Sequence, residues 1–202
     1  MPHLRRAAHL PPTGTRQKIG LFGGSFDPPH PGHMHVAETA LKHLGLNQVW
    51  WFPTPGNPLK APPGEYEARL AAVQIMTARN RAMQVSDIEA HAHLTYTIDL
   101  VELLRAHCPH AQLVWIMGSD SLENFHHWKD WQTLAKLIPI AVIARPGSML
   151  AARNSHFARI YSDARLPSRA SHALPGHTVP AWTYIKAPLH AASSTALRKG
   201  RK

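Results

Sequence analysis

Lys18 to Leu44 reads KIGLFGGSFDPPHPGHMHVAETALKHL, and the change of pattern inside this stretch decides the fold. Ile19 to Phe22 is a short apolar run of strand type that stops at Gly23 and Gly24. Beyond Pro31, Met34, Ala37, Leu41 and Leu44 recur at spacings of three and four, the stripe of an amphipathic helix, and Gly45 offers a left-handed stop. A strand, a glycine-bearing loop and a helix in that order open a βαβ unit.

The same alternation continues along the chain. Val49 to Phe52 reads as a second strand, Glu65 to Ala78 as a helix, Met83 to Val85 as a short strand and Tyr96 to His107 as a helix. Strands follow at Leu113 to Met117 and Ile138 to Ala144. The pattern weakens through residues 147–180, which scatter Ser, Arg, His and Pro, and returns in a strand at Trp182 to Ile185. No internal repeat is found. This rhythm predicts an α/β fold: a doubly wound, Rossmann-like, mainly parallel sheet with helices on both faces.

With 202 residues the chain suits one compact domain, placed at 18–202. Residues 1–17 lack periodicity and read as a flexible basic leader. Lys and Arg outnumber Asp and Glu by 22 to 12, a field that attracts anions. Much of that excess lies in the two tails, where charge often serves only solvation. Cys108 is the only cysteine, so an intrachain disulfide is excluded. The apolar tract Leu137 to Ala144 contains Pro139 and is far too short to span a bilayer. A cytoplasmic location without membrane contact is the expectation.

Ligands of open parallel sheets collect beyond the carboxyl ends of the strands, where the next helix presents unsatisfied N–H groups. The first such loop is Gly23 to Pro31. Its glycines allow close backbone approach, its prolines stiffen the turn, and Ser25 or Asp27 can bond local amides. His30 and His33, three apart at the helix start, can present both rings to one anion. Taken alone, one of them could cap the helix while the other sits at the surface. Neither the Walker A pattern nor G-x-G-x-x-G occurs.

Gly23-Gly24-Ser25-Phe26-Asp27-Pro28-Pro29-His30-Pro31-Gly32-His33 closely resembles the opening signature of the H-x-G-H nucleotidyltransferase superfamily. Ser193-Ser194-Thr195-Ala196-Leu197-Arg198 resembles its S-S-T-x-x-R motif, although such a segment alone would read as an ordinary N-cap. Between them, Thr95-Tyr96-Thr97-Ile98-Asp99 resembles an S-Y-T-x-D segment. Met117-Gly118-Ser119-Asp120, with Phe125, Trp128 and Trp131 behind it, resembles a G-x-D segment and its aromatic loop. From about Lys18 to Arg198 the chain is similar to the bacterial nicotinate-nucleotide adenylyltransferases.

That resemblance implies adenylyl transfer from ATP to nicotinate mononucleotide. It implies catalytic roles for His30, His33 and Arg198, and ATP contacts from Gly23, Gly24, Ser25, Phe26, Gly118, Asp120, Arg145, Ser193, Ser194 and Thr195. Lys60, Thr95, Tyr96, Thr97, Trp128 and Lys129 would hold the mononucleotide, with Trp128 stacked on the pyridine ring and the Lys129 amide selecting the acid. Magnesium would enter on the ATP phosphates without direct protein ligands. Three features depart from the family: Leu59 where His is frequent, Leu100 where Thr is common, and little chain after Arg198 for a terminal helix.

Other readings stand beside these. Trp131 could simply anchor its loop to the core, and Arg145-Pro146-Gly147 could be a strand-ending turn. Histidines 91, 93, 126 and 127 could suggest a metal, but without a Cys or carboxylate set they read as solvated loop residues. Another transferase of the superfamily, such as one acting on phosphopantetheine, would share both phosphate motifs but not the Tyr96 and Trp128 segments. A basic nucleic-acid-binding protein is a less favoured reading from a different class.

Overall fold

The computed structural model describes residues 9–56, 58–59, 62–146, 152 and 154–186. Among these residues seven strands form one sheet: β1 (Lys18–Gly24), β2 (Gln48–Pro53), β3 (Met83–Val85), β4 (Gln112–Gly118), β5 (Ile140–Ile143), β6 (Arg165–Leu166) and β7 (Trp182–Ile185). Their order is β3-β2-β1-β4-β5-β7-β6. Every pairing is parallel, so the expected mainly parallel sheet is parallel throughout its described strands. In the centre, Leu21 of β1 lies opposite both Trp50 of β2 and Trp115 of β4.

The strands are apolar without alternation because both faces are covered. Trp50 and Phe52 point to one face and Val49 and Trp51 to the other, all fully buried. Helix α1 (Pro31–Leu44) lays Val36, Ala37, Ala40 and Leu44 on the Trp51 face, and α2 (Tyr66–Thr77) adds Val73 there. The Trp50 face is covered by the short α3 (Ile88–His91) and by α4 (Thr97–His107), which contributes Leu100, Val101 and Leu104. Leu100, where the family pattern has Thr, is thus core. Beyond the short α5 (Ser119–Glu123), α6 (Trp131–Leu137) and α7 (His156–Ile160) complete that face through Leu134 and Phe157.

Four short elements had no clear signal in the sequence. Helices α3, α5 and α7 and strand β6 have five residues or fewer, too short to display a helical or strand period. The tract Leu137 to Ala144 is divided: Leu137 ends α6, and the strand proper is Ile140–Ile143. Pro139 lies just ahead of it, and its carbonyl accepts the Trp115 N–H at 2.9 Å.

The described part of the leader lies against the domain. The His9 carbonyl accepts the Ser86 hydroxyl at 2.5 Å, His9 Nδ1 lies 2.8 Å from Asp87, and its ring stacks on His91 at 3.8 Å. Leu10 packs on the core, and the Arg16 N–H donates to the His110 carbonyl. Composition suggested flexibility here because these contacts are to residues more than 75 positions away, beyond the reach of any local pattern. Residues 1–8 lie outside the described residues.

Candidate active site at the carboxyl ends of the strands

After β3 the chain leaves the edge of the sheet, crosses through α4 and re-enters on the other side of β1 as β4. At such a reversal the loops after the two central strands diverge and leave a crevice. A cleft of about 580 Å³ opens there, bounded by the loops after β1, β2, β4 and β5 and by α3 and the start of α4.

The loop after β1 forms one end of the cleft. Gly23 has no room for a side chain, since a Cβ would lie 2.7 Å from the Trp115 ring. Phe26 holds a left-handed backbone (φ 44°), which is uncommon for an aromatic residue. Its ring is buried edge-on against Phe22 and His33 and tilted against Trp51. Phe26 therefore shapes the loop from within, and it also lines the cleft with Gly23, Gly24 and Ser25.

His30 and His33 are both cap and site. His30 is the N-cap of α1: its Nδ1 accepts the Gly32 N–H at 3.1 Å, while His33 Nδ1 accepts the His30 N–H at 3.2 Å. This is a capping box built from two imidazoles. Because each Nδ1 accepts, each neutral ring carries its proton on Nε2. The ring centroids lie 3.8 Å apart and both rings line the cleft. The two readings open in the sequence, cap or anion donor, are compatible in one geometry.

The aromatic end faces them. Trp128 lines the cleft after a one-turn helix at Phe125–His127 and rests edge-on against Phe125 and Trp115. Thr95, Tyr96 and Thr97 line it from the start of α4, whose N-cap is Tyr96. Lys129 bridges these two parts, with Nζ 4.4 Å above the Tyr96 ring and 3.8 Å from Asp99. Trp131 packs instead against Phe125, Phe157 and Tyr161, the anchoring role.

The β4 and β5 ends supply the rest. Gly118 closes β4 with Asp120 and Arg145 so near that a Cβ would clash with both. Arg145 Nη1 meets Asp120 at 2.9 Å, and the Arg145 N–H donates to the Ser119 hydroxyl. This turn is tied to the cleft, which Gly118, Asp120 and Arg145 all line. Lys60, Ser193, Ser194, Thr195 and Arg198 lie outside the described residues, as does Gly147. Among the described residues no three His, Cys, Asp or Glu side chains are grouped to hold a metal.

Three residues of the site escaped the sequence reading. Arg69 of α2 is buried, and its guanidinium donates to the carbonyls of Ser25 (2.6 Å), Thr54 (2.9 Å), Gly64 (2.8 Å) and Pro55 (3.3 Å). It fastens the loop after β1 to the loop after β2. Burial lowers its pKa, opposed by the nearby Asp27 carboxylate. Thr54 and Glu89 line the cleft at the ends of β2 and β3. The Glu89 carboxyl is bonded to Thr54, and burial pushes it up to about 7. The rule that drew attention to the β1 end applies equally to these two strand ends. Arg69 could have been noticed as a charge on the buried stripe it shares with Leu70, Val73 and Thr77.

The chain's similarities agree with this arrangement. The model of the cytidylyltransferase-like family matches residues 21–200. A protein of Rhizobium meliloti named "Probable nicotinate-nucleotide adenylyltransferase" is 47% identical, the match covering 91% of this chain and 98% of that protein. A protein of the same name from Caulobacter is 48% identical, covering 90% and 96%. Among solved structures, a Plasmodium falciparum nicotinic acid mononucleotide adenylyltransferase complexed with NaAD has a TM-score of 0.70 at 18% identity, covering 91% of this chain and 83% of that one, a likeness of fold. The chain belongs to the cytidylyltransferase-like family of nucleotidyltransferases, and within it to the nicotinate-nucleotide adenylyltransferases.

Proposed function

We propose that the cleft binds ATP and nicotinate mononucleotide together and joins them. One observation carries this reading: the paired imidazoles at the start of α1 and the Trp128 ring beside the start of α4 face a single cleft. The first suits phosphate, the second a flat ring bearing a carboxylate. An oxygen of the mononucleotide phosphate attacks the α-phosphorus of ATP, and the bond to the departing pyrophosphate breaks. The attacking group is already anionic, so no side-chain nucleophile or base is required.

Positioning and charge stabilisation then account for the rate. His30 and His33 donate through Nε2 to phosphate oxygens whose charge rises in the transition state, with the dipole of α1 behind them. Arg198 and the Ser193 to Thr195 segment would close over the nucleotide, and Lys60 over the mononucleotide phosphate. Asp120, the acidic side chain that lines the cleft near α5, is paired with Arg145. Magnesium would enter on the ATP phosphates and neutralise charge there.

Pyrophosphate release from ATP, measured with nicotinate mononucleotide, nicotinamide mononucleotide and phosphopantetheine, tests the assignment. The first should be turned over fastest, and excess chelator should abolish the activity. Preference for phosphopantetheine would transfer the chain to another branch of the family.

A further inference from the structure

Glu89 occupies a position that the phosphate and ring ends leave unexplained. It is only 7% exposed, yet it lines the cleft. Its surroundings are costly for a carboxylate: burial desolvates it, and the Tyr66 hydroxyl near it is itself buried, with no hydrogen-bond partner among the described residues. The Thr54 hydroxyl lies beside it and donates to the Gly56 carbonyl at 2.8 Å. The guanidinium of Arg69, the nearest strong cation on α2, is committed to four carbonyls. No ion pair reaches Glu89 among the described residues, and a buried carboxyl of this kind at the wall of a ligand cleft marks a functional group.

The backbone places this carboxyl between the two ends of the cleft. The Thr54 N–H donates to the Gly24 carbonyl, so Thr54 adjoins the anion loop. On its other side, Glu89 accepts the Leu94 N–H at its own carbonyl, immediately before Thr95 to Thr97. Thr54 and Glu89 thus span from the phosphate loop to the ring-binding segment. A carboxylate with a hydroxyl beside it repels phosphate and accepts from neutral hydroxyl groups. Between the phosphate and the ring of a mononucleotide lies the ribose, with its vicinal diol.

We propose that Glu89 binds the ribose hydroxyls of the mononucleotide and so sets the distance between its ring and its attacking phosphate. This rests on the mononucleotide reading above. A charge-assisted hydrogen bond of this kind corresponds to roughly 10-fold to 100-fold in affinity.

The test is steady-state kinetics of the wild type and Glu89→Gln with ATP and either nicotinate mononucleotide or its 2′,3′-dideoxyribose analogue. The wild type should show a KM about 10-fold or more higher for the analogue. Glu89→Gln should raise KM for nicotinate mononucleotide by a similar factor, leave KM for ATP within about twofold, and treat the two substrates alike. Wild-type enzyme indifferent to the missing hydroxyls overturns the assignment without recourse to any variant. Equal loss by Glu89→Gln on both substrates also overturns it, since a merely structural carboxyl would act that way. Wild-type enzyme that makes no dinucleotide from nicotinate mononucleotide overturns the function proposed for the cleft, and this role with it.

Discussion

His33 accepts the His30 N–H of its own helix cap at Nδ1, and its ring lines the cleft. Replacing it with Ala removes a donor aimed at developing charge, which typically costs about 3 kcal/mol of barrier, so turnover should fall roughly 100-fold. Loss of the cap bond should lower stability by only about 1 kcal/mol. Turnover and thermal unfolding measured together separate the two effects, and near-normal turnover would remove His33 from the chemistry. Glu89 presents the opposite case, a functional group held at a cost to the fold. Its folded pKa of about 7 lies above the ordinary 4.5, so between those values the folded chain holds a proton that the unfolded chain has lost. Stability therefore falls as pH rises through that window and stays lower above it. Glu89→Gln carries no such charge. It should be more stable than wild type at pH 8, by an amount on the order of 3 kcal/mol, with the difference fading by pH 4. Denaturant titrations at the two pH values check this.

Among the elements, α2 contributes most to the site without entering the cleft, because Arg69 ties it to the loops after β1 and β2. Arg69→Met should lower stability by about 3 kcal/mol and weaken ATP binding, while Arg69→Lys, a point charge without the planar fork, should restore only part of either. Equilibrium unfolding and the KM for ATP measure both. The contrast between α1 and α2 also explains what the sequence disclosed. Helix α1 announces itself through its apolar stripe, its proline start and its glycine stop, and its histidines fall on a signature. The strands were legible because they are apolar on both faces. Arg69 shows in the sequence only as a charge on a buried stripe, and the loops it joins, like the contacts of His9, involve residues far along the chain that no local spacing names. The Trp128 loop was legible only through resemblance, since Phe125, Trp128 and Trp131 divide between cleft and core in a way that composition does not reveal.

For the whole molecule, the sheet order places the loops after β1 and β4 on either side of one crevice, and β2, β3 and β5 deliver their ends to its walls. Residues from five strand ends thus meet at one substrate pair, and a ligand bridging them should stiffen the entire domain. Binding only the folded state, ATP at 100 times its dissociation constant adds about 2.7 kcal/mol, which for a chain of this size should raise the unfolding temperature by roughly 5–10 °C. A melting series across ATP concentration measures it. Pyrophosphate release from the full chain with ATP, magnesium and nicotinate mononucleotide decides whether the histidine pair and the Trp128 wall serve one adenylyl transfer. Stoichiometric dinucleotide and pyrophosphate are expected, with nicotinamide mononucleotide a poorer substrate. ATP binding without pyrophosphate release from any pyridine mononucleotide would contradict that expectation.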